Sequence, residues 1–423
     1  MQAEHSELKV KVPRARKAAA VLSCSTTAQR DEALEAMARA LVDRSDEILS
    51  ANAADMEAAR AKDTPEPLLD RLFLDEERIA GIADGLRVLE EAEDPIGRVL
   101  EHRSLYNGIE LSRVSVPLGV VAMIYEARPN VTADAAGICL KSGNACVLRG
   151  GSLARRSCVA IAGVLSDAVV QTGLPEGCIE VVEDTSHAVT DELMRLHGQV
   201  DLLVPRGGAG LIRYCVENAT VPVIETGTGN CHIYLHASAD VDKALPIVIN
   251  AKCQRPGVCN AAESLLCDAD VAGELLPPVM CALREHGVTL HCDERALRVA
   301  REAGVEAVSG GEDDWSREYL DLDMSVQVVD GLDDAIDWVN RTGTGHSECI
   351  VAEDRQACER FLAHVDAAAV YANASTRFTD GGECGLGAEI GISTQKLHAR
   401  GPMGISALTS YKYELRGDGQ VRA

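Results

Sequence analysis

A chain of 423 residues, 46% of them apolar, is long enough for two domains, each with its own buried core. Acidic residues outnumber basic ones 66 to 41, and a formal charge of −25 repels nucleic-acid phosphate and anionic lipid, which excludes both as partners. Apolar runs such as CVAIAGVL at 158–165 are too short to span a bilayer, so no membrane association is expected.

The 15 cysteines contain no C-x-x-C pair and follow no stretch of secretory type, which points to free thiols in a reducing cytoplasm and to no metal site. The acidic field has a further consequence. Any phosphate site in this chain must gather its own cations and backbone N–H groups.

Residues 27–62 are rich in Ala, Glu and Arg, and Leu34, Met37, Ala38 and Leu41 recur at helical spacing. From Val114 the texture changes to short apolar runs ended by glycine or charge: GVVAMIYE (119–126), ACVLRGG (145–151), CIEVVED (178–184), VDLLVPRGG (200–208) and VPVIETG (221–227). Helical stretches separate them, which predicts βαβ units around a parallel sheet buried on both faces, with ligands at the carboxyl ends of the strands. Two of those ends suit a dinucleotide. Arg206, Gly207 and Gly208 stand between a strand and a helix, where glycines admit a pyrophosphate and the helix start favours negative charge; the spacing is not G-x-G-x-x-G, so an ordinary tight turn is the alternative. VLRGGSLA (147–154) repeats the pattern with Arg149 as its cation.

A second α/β half runs from about 230 to 372, with strand candidates CHIYLHA, AESLLC, SVQVVD, ECIVAE and AAAVYAN. Within it, NAKCQRPGVCNAAES (250–264) holds two cysteines around a Pro256-Gly257 turn. The turn puts Cys259 at an irregular backbone position, where N–H groups or a cation can lower a thiol pKa and make a nucleophile. Cys253 has no such turn beside it. For either thiol the alternative is a small buried hydrophobe.

VPLGVVAMIYEARPNVT (116–132), KSGNACVLRGG (141–151), ETGTGNCHIY (225–234), NAKCQRPGVCNA (250–261) and NASTRFTDGGECGLGAEIGISTQKLHARGPMG (373–404) together resemble the γ-glutamyl phosphate reductases, a branch of the aldehyde dehydrogenase superfamily. The resemblance covers nearly the whole chain. It implies an α/β fold with a Rossmann-type cofactor domain, an α/β catalytic domain and a β-ribbon oligomerisation region. It places the NADP-binding domain at 1–100 and 114–228 and the catalytic domain at 229–372. Residues 373–400 become a substrate-site loop returning to the cofactor domain, and 101–113 with 401–416 become the oligomerisation strands, both alternating apolar and polar residues as a half-buried ribbon does.

Residue by residue, the resemblance makes Cys259 the nucleophile and Glu225 the counterpart of the general base of hydrolytic members, with a structural carboxylate as the alternative. Cys253 departs from the pattern, standing where the family has Thr. Asn130, or Arg128 two residues earlier, falls where the superfamily has its oxyanion-hole asparagine; Asn130 is taken for that role and Arg128 for the substrate. Arg149 matches a lysine that contacts the adenosine ribose, and Ser152 replaces a glutamate that holds ribose hydroxyls in NAD-preferring relatives. A cation without that carboxylate suits a 2′-phosphate, so NADP(H) is the expected cofactor. Ser375 and Arg377 lie on the segment that lines the substrate tunnel, and Arg377 can grip a carboxylate. Lys396, His398 and Arg400 are near candidates or a solvated basic turn. Trp338 and Val339 depart from the usual His-Ile of the stretch at 335–350.

The implied reaction is NADPH-dependent reduction of L-glutamyl 5-phosphate to L-glutamate 5-semialdehyde through a Cys259 thioester, the second step from glutamate to proline. A homo-oligomer and an association with glutamate 5-kinase are further implications. The alternative is a non-phosphorylating dehydrogenase that oxidises a related semialdehyde, with Glu225 activating water.

Overall fold

The structure, a computed structural model, describes residues 6–422. Two compact units are present. The first takes the chain up to Glu225 with Gly385–Gly391 and the segment from Met403; the second is Thr226–Cys384 with Ile392–Pro402.

The first unit opens with α1 (Leu8–Leu22), α2 (Thr27–Asp43), α3 (Ser45–Arg60), α4 (Glu66–Leu72) and α5 (Glu76–Glu91). A capping box starts α2, since Thr26 Oγ1 accepts from Gln29 N while the Gln29 side chain accepts from Thr26 N. Leu34, Met37, Ala38 and Leu41 are fully buried, as their spacing predicts. Next come β1 (Val99–Ser104), β2 (Glu110–Pro117), β3 (Val120–Tyr125), α6 (Asn130–Lys141), β4 (Ala145–Arg149), α7 (Arg155–Gln171), β5 (Ile179–Val181), α8 (His187–Met194), β6 (Leu202–Arg206) and α9 (Ala209–Asn218). Strands β5, β4, β3 and β6 form a parallel sheet in that order. The order reverses between β3 and β6, and their carboxyl ends define the crevice where such sheets take ligands.

The run VPVIETG does not form the predicted strand. It makes one bridge, Leu203 with Val223, because Pro222 has no N–H to continue a ladder.

The second unit contains β7 (Cys231–Leu235), α10 (Val241–Cys253), β8 (Ala262–Asp268), α11 (Ala272–Glu285), β9 (Thr289–Cys292), α12 (Glu294–Glu302), β10 (Val308–Ser309), β11 (Asp323–Val329), α13 (Leu332–Thr342), β12 (Ser347–Val351), α14 (Arg355–His364) and β13 (Ala369–Ala372). Its sheet is parallel throughout, in the order β10-β9-β11-β8-β7-β12-β13. Helices α10, α11 and α12 cover one face; α13 and α14 cover the other. Every position of β7, β8 and β12 is therefore buried, including polar residues such as His232, Glu263 and Glu348, which interrupt otherwise apolar runs. A small hairpin of β14 (Ile392–Ser393) and β15 (Gly401–Pro402) also belongs to this unit.

The chain ends in the first unit with β16 (Thr409–Arg416), antiparallel to β2, which pairs with β1 on its other side. This three-stranded sheet leaves Val99, Leu100, Tyr411, Tyr413 and Leu415 about half exposed. Among the described residues no helix is long and apolar enough to cross a membrane, and no cluster of three metal-ligating side chains occurs.

With aromatic residues at only 3% of the chain, single rings carry much of the packing. Phe361 is fully buried between α14 and the sheet and stacks on Tyr234 at a centroid distance of 6.2 Å. Phe361→Ala is expected to destabilise the protein by about 3–5 kcal/mol through the cavity it leaves, measured by urea denaturation.

Candidate active site

The segment between α10 and β8 carries Cys259 at the amino end of β8, not at the carboxyl end that the general rule for parallel sheets favours. The thiol residue is half-buried in a turn. Its backbone is held closely. A Cβ on Gly229 would lie 1.5 Å from the Cys259 carbonyl oxygen, so only glycine allows the approach. The same oxygen accepts from Cys231 Sγ at 3.2 Å. Asn230, buried beside that glycine, donates to the carbonyls of Trp315 at 3.1 Å and Thr342 at 3.0 Å, which fixes the lead-in to β7.

On the other side of Cys259, Asn260 is clamped by the segment that follows β13. Asn373 takes a left-handed φ of 57°, which asparagine tolerates, and reverses the chain there. Thr376 Oγ1 then donates to the Asn260 carbonyl at 2.7 Å, and Asn260 Nδ2 donates to the Thr379 carbonyl at 2.8 Å. Arg377 donates through Nη1 to Asn260 Oδ1 and through Nε to Gln254 Oε1 at 3.0 Å. Ser375 is buried and its Oγ accepts from Arg377 N at 3.3 Å. The structure thus brings Cys259, Ser375 and Arg377 into one cluster. Burial lowers the Arg377 pKa, with Asp380 acting against it, and Cys259 lies within electrostatic reach of the guanidinium. Cys253 closes α10 and packs against the core; burial pushes its thiol up, with Lys252 opposing.

The remaining candidates are in the first unit. Asn130 is exposed at the start of α6 and donates to Asp134 Oδ2 at 3.1 Å. Burial raises Asp134 to about 6, against the pull of Asn130 and Arg206. Arg128 is half-buried just before that helix. Gly208 N, at the start of α9, donates to Glu126 Oε2 at 3.2 Å, and a Cβ on Gly207 would lie 2.7 Å from the same carboxyl group. The helix start next to Arg206 therefore already faces a carboxylate. Arg149 ends β4 and donates to the Thr185 carbonyl at 2.5 Å; burial lowers its pKa. Glu225 is half-buried in irregular backbone at the end of this unit.

Ser152 lines a cavity of about 220 Å³ with Lys62, Arg155, Arg156, Leu153 and Asp55. Arg155 is steadied by the Glu183 carbonyl at 2.9 Å, and Arg156 stands 3.4 Å from Asp55. Three cations face one carboxylate, so the pocket suits an anion. Lys62, Arg155 and Arg156 escape a sequence reading because Lys62 comes from the turn after α3, far from Ser152 in the chain. Gly229 and Asn260 escape it because their role is in backbone contact; the repeated glycines of ETGTGN were the available signal.

An α/β chain with a parallel nucleotide-type sheet and a thiol on a tightly held turn has the parts of an aldehyde dehydrogenase. The aldehyde dehydrogenase family model matches residues 1–296 and 324–389, and the chain belongs to that family. It is 54% identical over 416 residues to γ-glutamyl phosphate reductase of Moorella thermoacetica, covering 98% of this chain and 99% of that one. The enzyme of the same name from Heliobacterium modesticaldum is 53% identical over 418 residues, covering 99% of each. The crystal structure of γ-glutamyl phosphate reductase from Thermotoga maritima superposes with a TM-score of 0.96 at 45% identity, over 99% of this chain and 100% of that one.

Cys259 is expected to be the first thiol alkylated by iodoacetamide, ahead of the more exposed Cys24, Cys281 and Cys384, as read by peptide mapping after partial labelling. Gly229→Ala, by displacing the Cys259 backbone, should slow that labelling. First labelling at Cys253 would identify the other thiol of the pair as the activated one.

Proposed function

We propose that the protein reduces L-glutamyl 5-phosphate to L-glutamate 5-semialdehyde in the cytoplasm, as part of proline biosynthesis. The observation that carries this reading is the half-buried Cys259, held by its backbone in a chain about half identical, end to end, to proteins named γ-glutamyl phosphate reductase. The Cys259 thiolate attacks the γ-carbonyl carbon. A C–S bond forms, the C–O bond to phosphate breaks, and phosphate leaves with the electron pair. The nicotinamide cofactor, when bound, supplies the hydride that brings the thioester carbon to the aldehyde level. Donors for the oxyanion are the backbone N–H of Cys259 and the amide of Asn130. Its collapse breaks the C–S bond, releases the aldehyde and restores the thiolate. Because phosphate is a good leaving group, no water has to be activated, and Glu225 is secondary. Arg128, Ser375 and Arg377 are assigned to the glutamyl end, where a guanidinium pairs with a carboxylate.

For the cofactor, NADP(H) is favoured over NAD by the cavity at Ser152. Its cations can receive a 2′-phosphate, and no carboxylate replaces Ser152 to hold ribose hydroxyls. Arg149, Arg206, Gly207 and Gly208 belong to the same proposed cofactor region. Subunit pairing through the sheet that exposes Tyr411, Tyr413 and Leu415, and association with the glutamate 5-kinase that makes the acyl phosphate, complete the reading.

NADPH formation from glutamate 5-semialdehyde is expected to require phosphate in wild type and to vanish in Cys259→Ala, which should still bind NADPH by fluorescence titration. Phosphate-independent turnover would instead support a dehydrogenase with Glu225 as base. Substantial activity in Cys259→Ala would end the covalent mechanism.

Ser152→Glu should weaken NADP binding more than NAD binding by about 1–2 kcal/mol after solvent screening, roughly tenfold, since a carboxylate would face the 2′-phosphate. An unchanged NADP/NAD ratio in the variant would remove Ser152 from the ribose.

A further inference from the structure

The two ends of the Cys259 segment are joined by a buried ion pair. Lys252 lies in the last turn of α10, and Glu263 is the second residue of β8. Both side chains are fully buried, with Lys252 Nζ donating to Glu263 Oε2 at 2.5 Å. The second carboxylate oxygen accepts from the backbone N–H of Leu320 at 3.1 Å. Leu320 is held at a φ of 58°, a left-handed conformation uncommon for leucine. Two residues before it, Glu318 accepts from Gly229 N at 2.7 Å, and the Tyr319 ring lies 6.0 Å from Lys252 Nζ. The strap of residues 318–320 therefore touches both Gly229, which abuts the Cys259 carbonyl, and Glu263, which closes the turn.

Stability alone does not account for such a pair. Two apolar side chains of similar volume hold a helix to a strand as well or better, because burying two charges costs about as much as their attraction returns. What apolar groups lack is direction. The two oxygens of Glu263, one facing Lys252 and one facing Leu320 N, set the distance from α10 to β8 and the position of the strap together. Burial raises Glu263 to about 7 while Lys252 acts against that rise, so the pair is also not a favourable site for a lone carboxylate.

We propose that Lys252 and Glu263 are a positioning pair that holds the turn in the geometry presenting the Cys259 thiol for attack. The proposal rests on the reading of Cys259 as the nucleophile. The test is the double variant Lys252→Met with Glu263→Leu, which keeps the volume and removes both charges. It is expected to fold with a melting temperature at or above wild type, while kcat in the phosphate-dependent assay falls by about tenfold or more and KM for NADP stays within about twofold. Iodoacetamide labelling of Cys259, read without substrate, should slow by a comparable factor. Glu263→Gln keeps the volume and one acceptor oxygen but turns a donor toward either Lys252 or Leu320 N–H, so it loses one of the two contacts and should lie between wild type and the double variant. A folded double variant with wild-type kcat and labelling overturns the proposal, as does a fall in kcat with unchanged labelling. Failure of both variants to fold would assign the pair to folding itself and overturn it too. A wrong substrate assignment shows up separately, as absent turnover in wild type with the labelling comparison intact.

Discussion

The carbonyl of Cys259 occupies space that any side chain at residue 229 would need, and much of the second unit is arranged around that contact. Gly229 is followed by Asn230, whose amide is tied to two carbonyls, and then by β7, an interior strand of the sheet. Cys231, the first residue of β7, donates its thiol to the same Cys259 carbonyl. From the other direction, Thr376 and Thr379 grip Asn260. The turn that carries Cys259 is thus held, largely through its own backbone, by two segments far apart in the chain, 229–231 and 376–379. Backbone contacts of this kind lose little entropy when substrate arrives, since the groups are already ordered.

Charge imposes a second constraint. A chain of net charge −25 can host an anionic group only where cations outnumber carboxylates locally. Cavity size does not decide this. A larger cavity of about 550 Å³ is lined by Lys11 and Arg14, but Lys11 pairs with Glu7 and Arg14 with Glu180, and Glu176 and Glu183 stand nearby. The smaller one at Ser152 keeps an excess of positive charge because Asp55 is partly engaged elsewhere. Its carboxylate accepts from Ser157 N and Oγ, both at 2.8 Å, at the start of α7. The acid that could neutralise the pocket is occupied in holding a helix end.

The α/β class was legible because strands buried on both faces are predominantly apolar, and most of those runs are strands in the structure. Where the reading failed, a single residue explains it. VPVIETG has the composition of a strand, yet Pro222 denies it a ladder. Strand β9 went unread because TLHC is only four residues long and includes His291, whose ring bonds Asp323 of the neighbouring β11 at 2.7 Å. At the site, the residues alone left Cys253 and Cys259 both open, and the choice came from family likeness. Contacts such as Lys252 with Glu263 and Arg377 with Asn260 were not legible at all, since a charge or an amide in sequence carries no mark of a partner that only folding supplies.

Fifteen thiols in one chain pose a selectivity problem that burial largely resolves. Desolvation disfavours a thiolate, and it pushes Cys178, Cys267, Cys292 and Cys349 up to about 12 and Cys158 and Cys215 to about 11. These act as small hydrophobes filling strands and helix faces, and at neutral pH they hold almost no thiolate. Cys231 shows the principle at closest range. It sits against the Cys259 backbone, yet complete burial raises its pKa far above the ordinary thiol value, and its sulfur is occupied as a donor to the Cys259 carbonyl. The thiol nearest to Cys259 is thereby used to support the turn that carries Cys259.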